Sequence, residues 1–340
     1  MTLLFYTFLF LFGTILWSFS SVLIYRIKSW EKGIFMGRSH CNKCDRQLKS
    51  KDLIPVFSYI KTKGKCIKCK KKIPLIYPIL EICMWLLFIG IAYFMIDTNL
   101  IFTGNSLEIS KLLFWLFLWF VTIIYTFYDI LFLEIPESVL ALGIIVTLIL
   151  LAIQSLFPSF HIATMLPAAT EIHLWITLAV IWSIIIVSIL YVVMLKELSE
   201  IYDIILLAVA IGWLLILKYT FDIELSQIAI VNGIIGVLWI FLFFFLQILV
   251  SKWAWMWGWD LRIAILIGLL LWVSLSFAGM MITYMVGSVI GVAAIVFSRL
   301  RKWWETSFNT QIPFGPFLAA WFFITLFFQE NILQFINFYL

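Results

Sequence analysis

Long apolar runs separated by short polar breaks constrain this chain more than any other feature of its sequence. Of its 340 residues, 64% are hydrophobic and only 12% are charged. A helix needs about 20 apolar residues to cross a bilayer, and this composition is typical of a polytopic membrane protein. The sequence therefore predicts an all-α membrane protein with about ten transmembrane helices. The predicted spans are Leu3–Ile24, Leu75–Met95, Leu112–Tyr128, Val139–Leu156, Leu174–Leu195, Ile204–Leu217, Ile228–Val250, Ile263–Phe277, Met281–Phe297 and Phe314–Phe328.

The basic residues predict the orientation of these spans. Fifteen of the 23 Lys and Arg residues lie between Arg26 and Lys72. Short loops rich in Lys and Arg stay in the cytoplasm, so we expect this segment to be cytoplasmic and the N-terminus to lie outside. The first run has no basic residue before it, which indicates an anchor in the cell (inner) membrane rather than a cleaved signal. We therefore divide the chain into a first anchor at 1–25, a cytoplasmic domain at 26–74 and a transmembrane core at 75–340.

Four cysteines in the cytoplasmic segment predict a metal site. Cys41 and Cys44 form one C-x2-C pair, and Cys66 and Cys69 form a second pair after a gap of 21 residues. Four thiolates at this spacing can form a tetrahedral Zn²⁺ site. A small domain with few large apolar side chains needs such a metal cross-link to be stable. The alternative is a pair of redox disulfides or idle thiols, although disulfides rarely persist in the cytoplasm. The fifth cysteine, Cys83, lies in an apolar run and is predicted to be a packing residue.

The charge of the same segment raises the question of its partner. Zinc ribbons and basic runs often bind nucleic acid. Basic residues beside a membrane have a simpler cause, because cytoplasmic loops are basic and anionic lipid attracts them. We therefore predict contact with membrane lipid and no nucleic-acid partner.

Two aspartates, Asp129 and Asp260, lie at the ends of predicted spans and on the same predicted side of the membrane. Acids in such places are costly, rare and usually functional. Two converging carboxylates cannot both ionise cheaply, so one keeps its proton, which is the state that an aspartic protease needs. The alternative is that each acid is a helix-end charge or a salt-bridge partner, with Arg262 or Lys252 as the partner of Asp260.

Several motifs along the chain match those of one membrane-protein family. They are GRSHCNKC at 37–44, DLIPVFSY at 52–59, GKC at 64–66, YP at 77–78, VLIYR at 22–26 and IPFGPFLA at 312–319. These stretches resemble the type IV prepilin peptidases, which are bifunctional leader peptidases and N-methyltransferases. The resemblance spans nearly the whole chain except a central insertion.

The resemblance implies roles for the two acids. Asp129 precedes Ile135-Pro136-Glu137 by six residues, and Asp260 is followed by Arg262 and, eight residues on, by Gly268. Both patterns are similar to those around the family's catalytic aspartates. The implied reaction is cleavage of the basic leader of type IV prepilins or pseudopilins at the cytoplasmic face, in type IV pilus or type II secretion systems. N-methylation of the new N-terminus with S-adenosylmethionine would follow, and the zinc would be structural.

Three departures from the family pattern bear on these roles. Trp257 and Trp259 replace the usual glycines before Asp260, and Ser21 replaces an asparagine. The two acids are 131 positions apart, which predicts an extra helical hairpin within about 174–250 and makes Asp203 a rival second acid. The tryptophans favour an alternative function, a catalytically degenerate scaffold that docks a cytoplasmic partner through its zinc domain.

Overall fold

The computed structural model is all-α over the part of the chain that it describes. That part consists of residues 2–29, 41, 44, 46–48, 57–73, 75–157, 159–163, 174–194, 212, 215–216, 218–219, 228–251, 258–271, 273–301 and 313–339. Its helices are α1 (Thr2–Ser29), α2 (Phe57–Lys61), α3 (Ile76–Met95), α4 (Thr98–Phe102), α5 (Ser106–Phe132), α6 (Glu137–Leu156), α7 (Leu174–Met194), α8 (Ala229–Ser251), α9 (Gly258–Leu270), α10 (Val273–Arg301), α11 (Gly315–Phe327) and α12 (Gln329–Tyr339). These ranges contain no strand, which confirms the predicted all-α class.

The chain forms two compact units, Met1–Val139 and Leu140–Leu340. The boundary between them lies at the start of α6. The division predicted from the sequence, at residues 25 and 74, follows the expected membrane topology rather than compactness, and it stays a prediction.

Three long helices build the first unit. Phe88 of α3 lies against Gly13 of α1, where an added Cβ would come within 3.2 Å of its ring. Two aromatic pairs join α1 to α5 and show that the two helices run in the same direction. The ring centres of Phe19 and Phe120 are 6.2 Å apart, and those of Tyr25 and Phe132 are 6.0 Å apart. The ends of α1 and α5 therefore lie at the same end of this unit, from which the cysteine-containing segment also emerges.

Local signals set both ends of α5. Asn105 caps its start, because its side chain accepts hydrogen bonds from the backbone N–H groups of Leu107 and Glu108 at 2.9 and 3.4 Å. The helix ends where Leu133 takes a left-handed conformation with φ 54°. Its N–H donates to the carbonyl of Asp129 at 2.8 Å, so Asp129 lies in the last turn of α5.

Glycines allow close helix contacts in the second unit. A Cβ on Gly268 of α9 would lie 2.7 Å from the Cα of Val237 in α8, and one on Gly236 would lie 2.3 Å from the Gly268 carbonyl oxygen. On α10, a Cβ on Gly279 would overlap the indole of Trp321 of α11. Only residues without a side chain permit such an approach. The pairing of α8 with α9 is antiparallel, because the C-terminal half of α9 meets the N-terminal half of α8.

Among the residues that the structure describes, three helices are long and apolar enough to cross a membrane by length and composition. They are Ser106–Phe132, Glu137–Leu156 and Ala229–Gln247, and the bent pair Gly315–Phe327 and Gln329–Phe335, at 85°, would add a fourth. Shorter apolar stretches lie in α1, α3, α7 and α10. The structure thus supports an integral membrane protein, while the count of about ten spans stays a prediction.

One predicted span differs from the helices observed. The sequence predicts Ile263–Phe277, but α9 ends at Leu270 and α10 begins at Val273. Between the two helices, the hydroxyl of Ser276 donates to the carbonyl of Leu271 at 3.1 Å. A 13-residue helix is about 20 Å long, which is shorter than the roughly 30 Å hydrocarbon core of a bilayer. The predicted hairpin within 174–250 is bordered by α7 and α8, and most of its Ile204–Leu217 span lies outside the described residues.

Candidate active site and metal centre

The four predicted metal ligands come together in the structure. The Sγ atoms of Cys41, Cys44, Cys66 and Cys69 all lie within 4.8 Å of one another. Cys66 is buried, and the other three are half-buried. The five cysteines of the chain are free thiols, and Cys83 lies apart on α3. The sequence spacing thus predicted a cluster that the fold forms.

Tight backbone turns aim the second pair of thiols inward. The N–H of Cys66 donates to the carbonyl of Lys71 at 2.9 Å, and the N–H of Lys70 donates to the carbonyl of Cys66 at 3.0 Å. Lys70 takes a left-handed conformation with φ 57°. An antiparallel β-bridge between Lys65 and Lys72 closes the base of this turn. The lysine side chains of the turn are exposed.

Tyr59 supports the same turn from α2. Its hydroxyl donates to the carbonyl of Ile73 at 3.2 Å. Its ring lies so close to Gly64 that an added Cβ would come within 2.7 Å of the hydroxyl oxygen. Gly64 also has φ 64°, a conformation that glycine adopts readily. Both residues belong to the motifs at 52–59 and 64–66, and their contact supports the turn.

The thiols of the cluster differ in proton affinity. Hydrogen bonds from the backbone N–H groups of Cys69 and Lys68 lower the pKa of Cys66 to about 6. The backbone N–H of Arg46 lowers the pKa of Cys44, but burial and the neighbouring thiols outweigh it and raise the pKa to about 11. Four adjacent thiolates repel one another, so a bound cation is needed for all of them to ionise.

The geometry of the cluster fits a four-coordinate metal. Tetrahedral coordination with Zn–S bonds of about 2.3 Å places sulfurs about 3.8 Å apart. The Cys41 and Cys69 sulfurs are 3.7 Å apart. Four sulfur donors that all lie within 4.8 Å of one another match the donor set of structural zinc sites. The residues present therefore fit such an ion.

Asp129 is buried in the first unit. Its residue is 7% exposed, and it lies in the last turn of the 27-residue α5. Tyr125, one turn earlier on the same helix, is fully buried. Spacing of four residues on a helix places two side chains on one face, so this neighbour could be predicted from the sequence.

A contact that the sequence did not reveal joins α1 to the chain just beyond Asp129. The ammonium of Lys28 binds both carboxylate oxygens of Glu134, at 2.8 and 2.7 Å. The same ammonium lies 5.5 Å from the centre of the Phe132 ring. The partners are 106 residues apart, and no local pattern marks them. The pair fixes the end of α1 beside the turn that follows Asp129.

Asp260 is buried in the second unit. It is 8% exposed and lies in the first turn of α9, two residues after the helix begins at Gly258. The predicted position at a break before an apolar helix therefore agrees with the structure. Elsewhere in this unit, the hydroxyl of Tyr284 on α10 donates to Oε1 of Gln247 on α8 at 2.6 Å. Sequence reasoning missed Tyr284 and Gln247, because α8 and α10 meet only in the tertiary structure.

Some predicted residues lie outside the described part of the chain. They include Asp203, Trp257, Lys252 and the side chain of Trp259. Asp129 and Asp260 belong to different units, and each is described within its own unit. Their pairing remains a proposal.

Comparison with known proteins identifies relatives of the N-terminal part. The family model for the Bacterial Peptidase A24 N-terminal domain matches residues 11–95, a stretch that includes the cysteine cluster. A prepilin leader peptidase/N-methyltransferase of Vibrio cholerae is 36% identical over 102 residues, covering 27% of this chain and 40% of that protein. A protein of the same name from Bacillus subtilis is 35% identical over 134 residues, covering 39% of this chain and 48% of that protein.

A third relative bears a different name. The type 4 prepilin-like proteins leader peptide-processing enzyme of Escherichia coli is 38% identical over 52 residues, covering 15% of this chain and 19% of that protein. The chain thus spans less than half the length of each of these relatives. No solved structure matches the chain. The family model and these relatives support a relationship of this part of the chain to the type IV prepilin peptidase family.

Proposed function

We propose that this protein is a prepilin leader peptidase that cleaves the basic leader of type IV prepilins or pseudopilins at the cytoplasmic membrane face. The names of its relatives support this reaction. The observation that carries the chemistry is the burial of one carboxylate at a helix end in each unit, Asp129 and Asp260. Buried acids are costly, and in membrane proteins they mark functional sites.

The two acids lie at opposite ends of their helices, and this difference assigns them different protonation states. Asp260 lies in the first turn of α9, where the positive end of the helix dipole favours negative charge. Asp129 lies in the last turn of α5, where the dipole opposes negative charge. We therefore assign the ionised role to Asp260 and the protonated role to Asp129.

These roles define a general acid–base mechanism. Asp260 takes a proton from water as the water oxygen attacks the scissile carbonyl, and the Asp129 carboxyl donates a hydrogen bond to the carbonyl oxygen. The tetrahedral intermediate collapses as the leaving amine takes a proton from the acid pair, and the C–N bond breaks. The free amine of the apolar helix and the carboxylate of the leader are the products.

We further propose that the cysteine cluster holds a structural Zn²⁺ ion. The sulfur separations fit this ion, and the surrounding turn contains few large apolar side chains that could hold it otherwise. The relatives' names include N-methyltransferase, so a second step is proposed in which S-adenosylmethionine supplies a methyl group to the new amine. No residue of this chain is assigned to that cofactor. The remaining proposed partner is membrane lipid around the basic segment.

Cleavage of a prepilin in detergent or proteoliposomes tests the peptidase proposal. The wild-type protein is expected to shorten the prepilin by its leader. Asp129→Asn and Asp260→Asn are expected to lose this activity, while Asp203→Asn keeps it. A folded wild-type protein that leaves the prepilin intact would favour the scaffold alternative, and activity in Asp260→Asn with loss in Asp203→Asn would reassign the second acid.

Metal analysis tests the zinc proposal. The purified wild-type protein is expected to carry about one zinc ion per chain. Cys41→Ser and Cys66→Ser are expected to lose it, whereas Cys83→Ser, a matched change outside the cluster, retains it. Zinc retained in both cluster variants, or a disulfide within the cluster in protein prepared without oxidant, would refute the assignment.

A further inference from the structure

Tyr284 lies where helices of the second unit meet beside Asp260. Its hydroxyl donates to Oε1 of Gln247 on α8 at 2.6 Å. Its ring centre lies 5.8 Å from that of Phe314, which caps the start of α11, and 5.9 Å from that of Phe243 on α8. Because α8 and α9 run antiparallel with Val237 opposite Gly268, Gln247 lies level with the first turn of α9, which carries Asp260. One side chain of α10 thus contacts α8 and the residue that precedes α11, at the level of Asp260 in α9.

The short helix that carries Asp260 needs such support at its start. The C-terminal half of α9 is fixed by backbone contact with α8, at Gly268 and Gly236. Asp260 lies eight residues before Gly268, or about 12 Å along the helix axis. At that end, side chains from neighbouring helices must hold the acid in place. Tyr284 and Gln247 are the polar pair that the described structure places there.

A purely structural role is the simpler explanation of a Tyr–Gln bond between two apolar helices. Such a bond satisfies two polar groups and adds a modest net stability. It does not require an acid nearby. The position of the pair at the level of Asp260 and its contact with Phe314 are what distinguish it. Phe314 belongs to the IPFGPFLA motif at 312–319, so Tyr284 connects the second acid to that motif.

We propose that Tyr284, held in place by Gln247, is a positioning residue for Asp260. The inference rests on the proposed peptidase function and extends it to residues outside the family motifs. The hydroxyl bond fixes the phenol ring between α8 and α11. The ring in turn fixes the surroundings of the Asp260 carboxylate, so that the carboxylate keeps one orientation toward water and substrate. Preorganisation of this kind acts on the chemical step more than on binding.

Kinetics of a conservative variant test the proposal. Tyr284→Phe keeps the ring and its aromatic contacts and removes the hydroxyl. With a synthetic peptide carrying a basic leader and an apolar stretch, we expect kcat per folded protein to fall about tenfold with KM changed less than about twofold. Tyr219→Phe is the matched control, because Tyr219 lies in the same unit and is 84% exposed; its kinetics should equal the wild type.

A double-variant cycle separates positioning from general packing. Gln247→Met removes the acceptor of the Tyr284 proton while keeping a side chain of similar length. We expect Gln247→Met to resemble Tyr284→Phe, and the double variant to lose no more than either single variant, because both changes break one bond. Kinetic losses that multiply in the double variant would overturn the proposed coupling.

Carbodiimide labelling gives a readout that does not depend on cleavage. A membrane-permeable carbodiimide reacts with buried carboxyl groups, and mass spectrometry of peptides locates the adduct on Asp260. We expect the labelling rate of Asp260 to change at least about threefold in Tyr284→Phe, because loss of the bond to Gln247 loosens the surroundings of the carboxylate, and not in Tyr219→Phe. A wild-type protein that fails to cleave the peptide refutes the peptidase function, and the labelling then decides the positioning role. Wild-type kcat and wild-type labelling in Tyr284→Phe refute the positioning role alone.

Discussion

Asp129 and Asp260 are buried to the same degree, but different parts of the structure surround them. The two residues are 7% and 8% exposed, and a buried or half-buried tyrosine lies near each of them. At Asp129 the tyrosine is Tyr125, one turn earlier on the same helix. At Asp260 it is Tyr284, which comes from another helix and is bonded to a third.

The difference shows how each acid keeps its place. Asp129 lies within a 27-residue helix whose own backbone bonds surround it. Asp260 lies two residues into a 13-residue helix, where backbone N–H groups are not yet paired within the helix. The first acid is therefore positioned mainly by local structure, and the second by packing between helices.

The largest expected effect tests whether the two regions form one catalytic site. Asp129→Asn and Asp260→Asn are each expected to lower kcat at least about 10³-fold. Because the acids are proposed to act as a unit, the double variant should be no slower than the slower of the two single variants. Single-turnover cleavage of a prepilin measures all three proteins. Losses that multiply, or a single variant with substantial activity, would show that the acids act independently.

A glycine contact tests the claim that packing positions Asp260. Gly268→Ala would place a Cβ 2.7 Å from the Val237 backbone of α8, so we expect the folded state to lose about 1–3 kcal/mol. Gly287→Ala is the control, since a Cβ there meets no atom within 4 Å. Thermal unfolding in detergent gives the stability. An unchanged Tm in Gly268→Ala would mean that α9 does not depend on this contact.

Because the two acids lie at opposite helix ends, we expect their asparagine variants to differ in residual activity. Asparagine is neutral and can still donate a hydrogen bond, so it imitates a protonated carboxyl better than an ionised one. Asp129→Asn should therefore retain about tenfold more residual activity than Asp260→Asn. Residual rates at high enzyme concentration measure the ratio. A reversed ratio would exchange the two proposed roles.

The smallest expected effect concerns the exposed ion pair near Asp129. The Lys28 and Glu134 side chains are 41% and 47% exposed, and exposed pairs contribute little because water and salt screen them. Lys28→Met and Glu134→Gln should each change kcat/KM less than about threefold, with no further change in the double variant. Cleavage rates over a salt series measure this. A loss comparable to that of Asp129→Asn would contradict local positioning of the first acid.

Spacing rules predicted the features that depend on short stretches of chain. The two C-x2-C pairs predicted the cluster, because each pair forms a tight turn whose geometry is local, and two turns complete a tetrahedron. The ends of α3 agree with its predicted span to within one residue at each end, since hydrophobic runs bounded by polar residues define such helices. The predicted Ile263–Phe277 span is divided between α9 and α10, because hydropathy alone does not register a break within an apolar run.

The sequence by itself determined the all-α class, the cysteine cluster and the positions of the two candidate acids at helix ends, since each follows from local composition or spacing. Only the tertiary structure decided which partners surround the acids. The Lys28–Glu134 pair and the Tyr284–Gln247 bond join residues 106 and 37 positions apart. The physical reason is that side-chain contacts between helices depend on how the helices rotate and cross, which hydrophobic periodicity leaves open in an apolar chain.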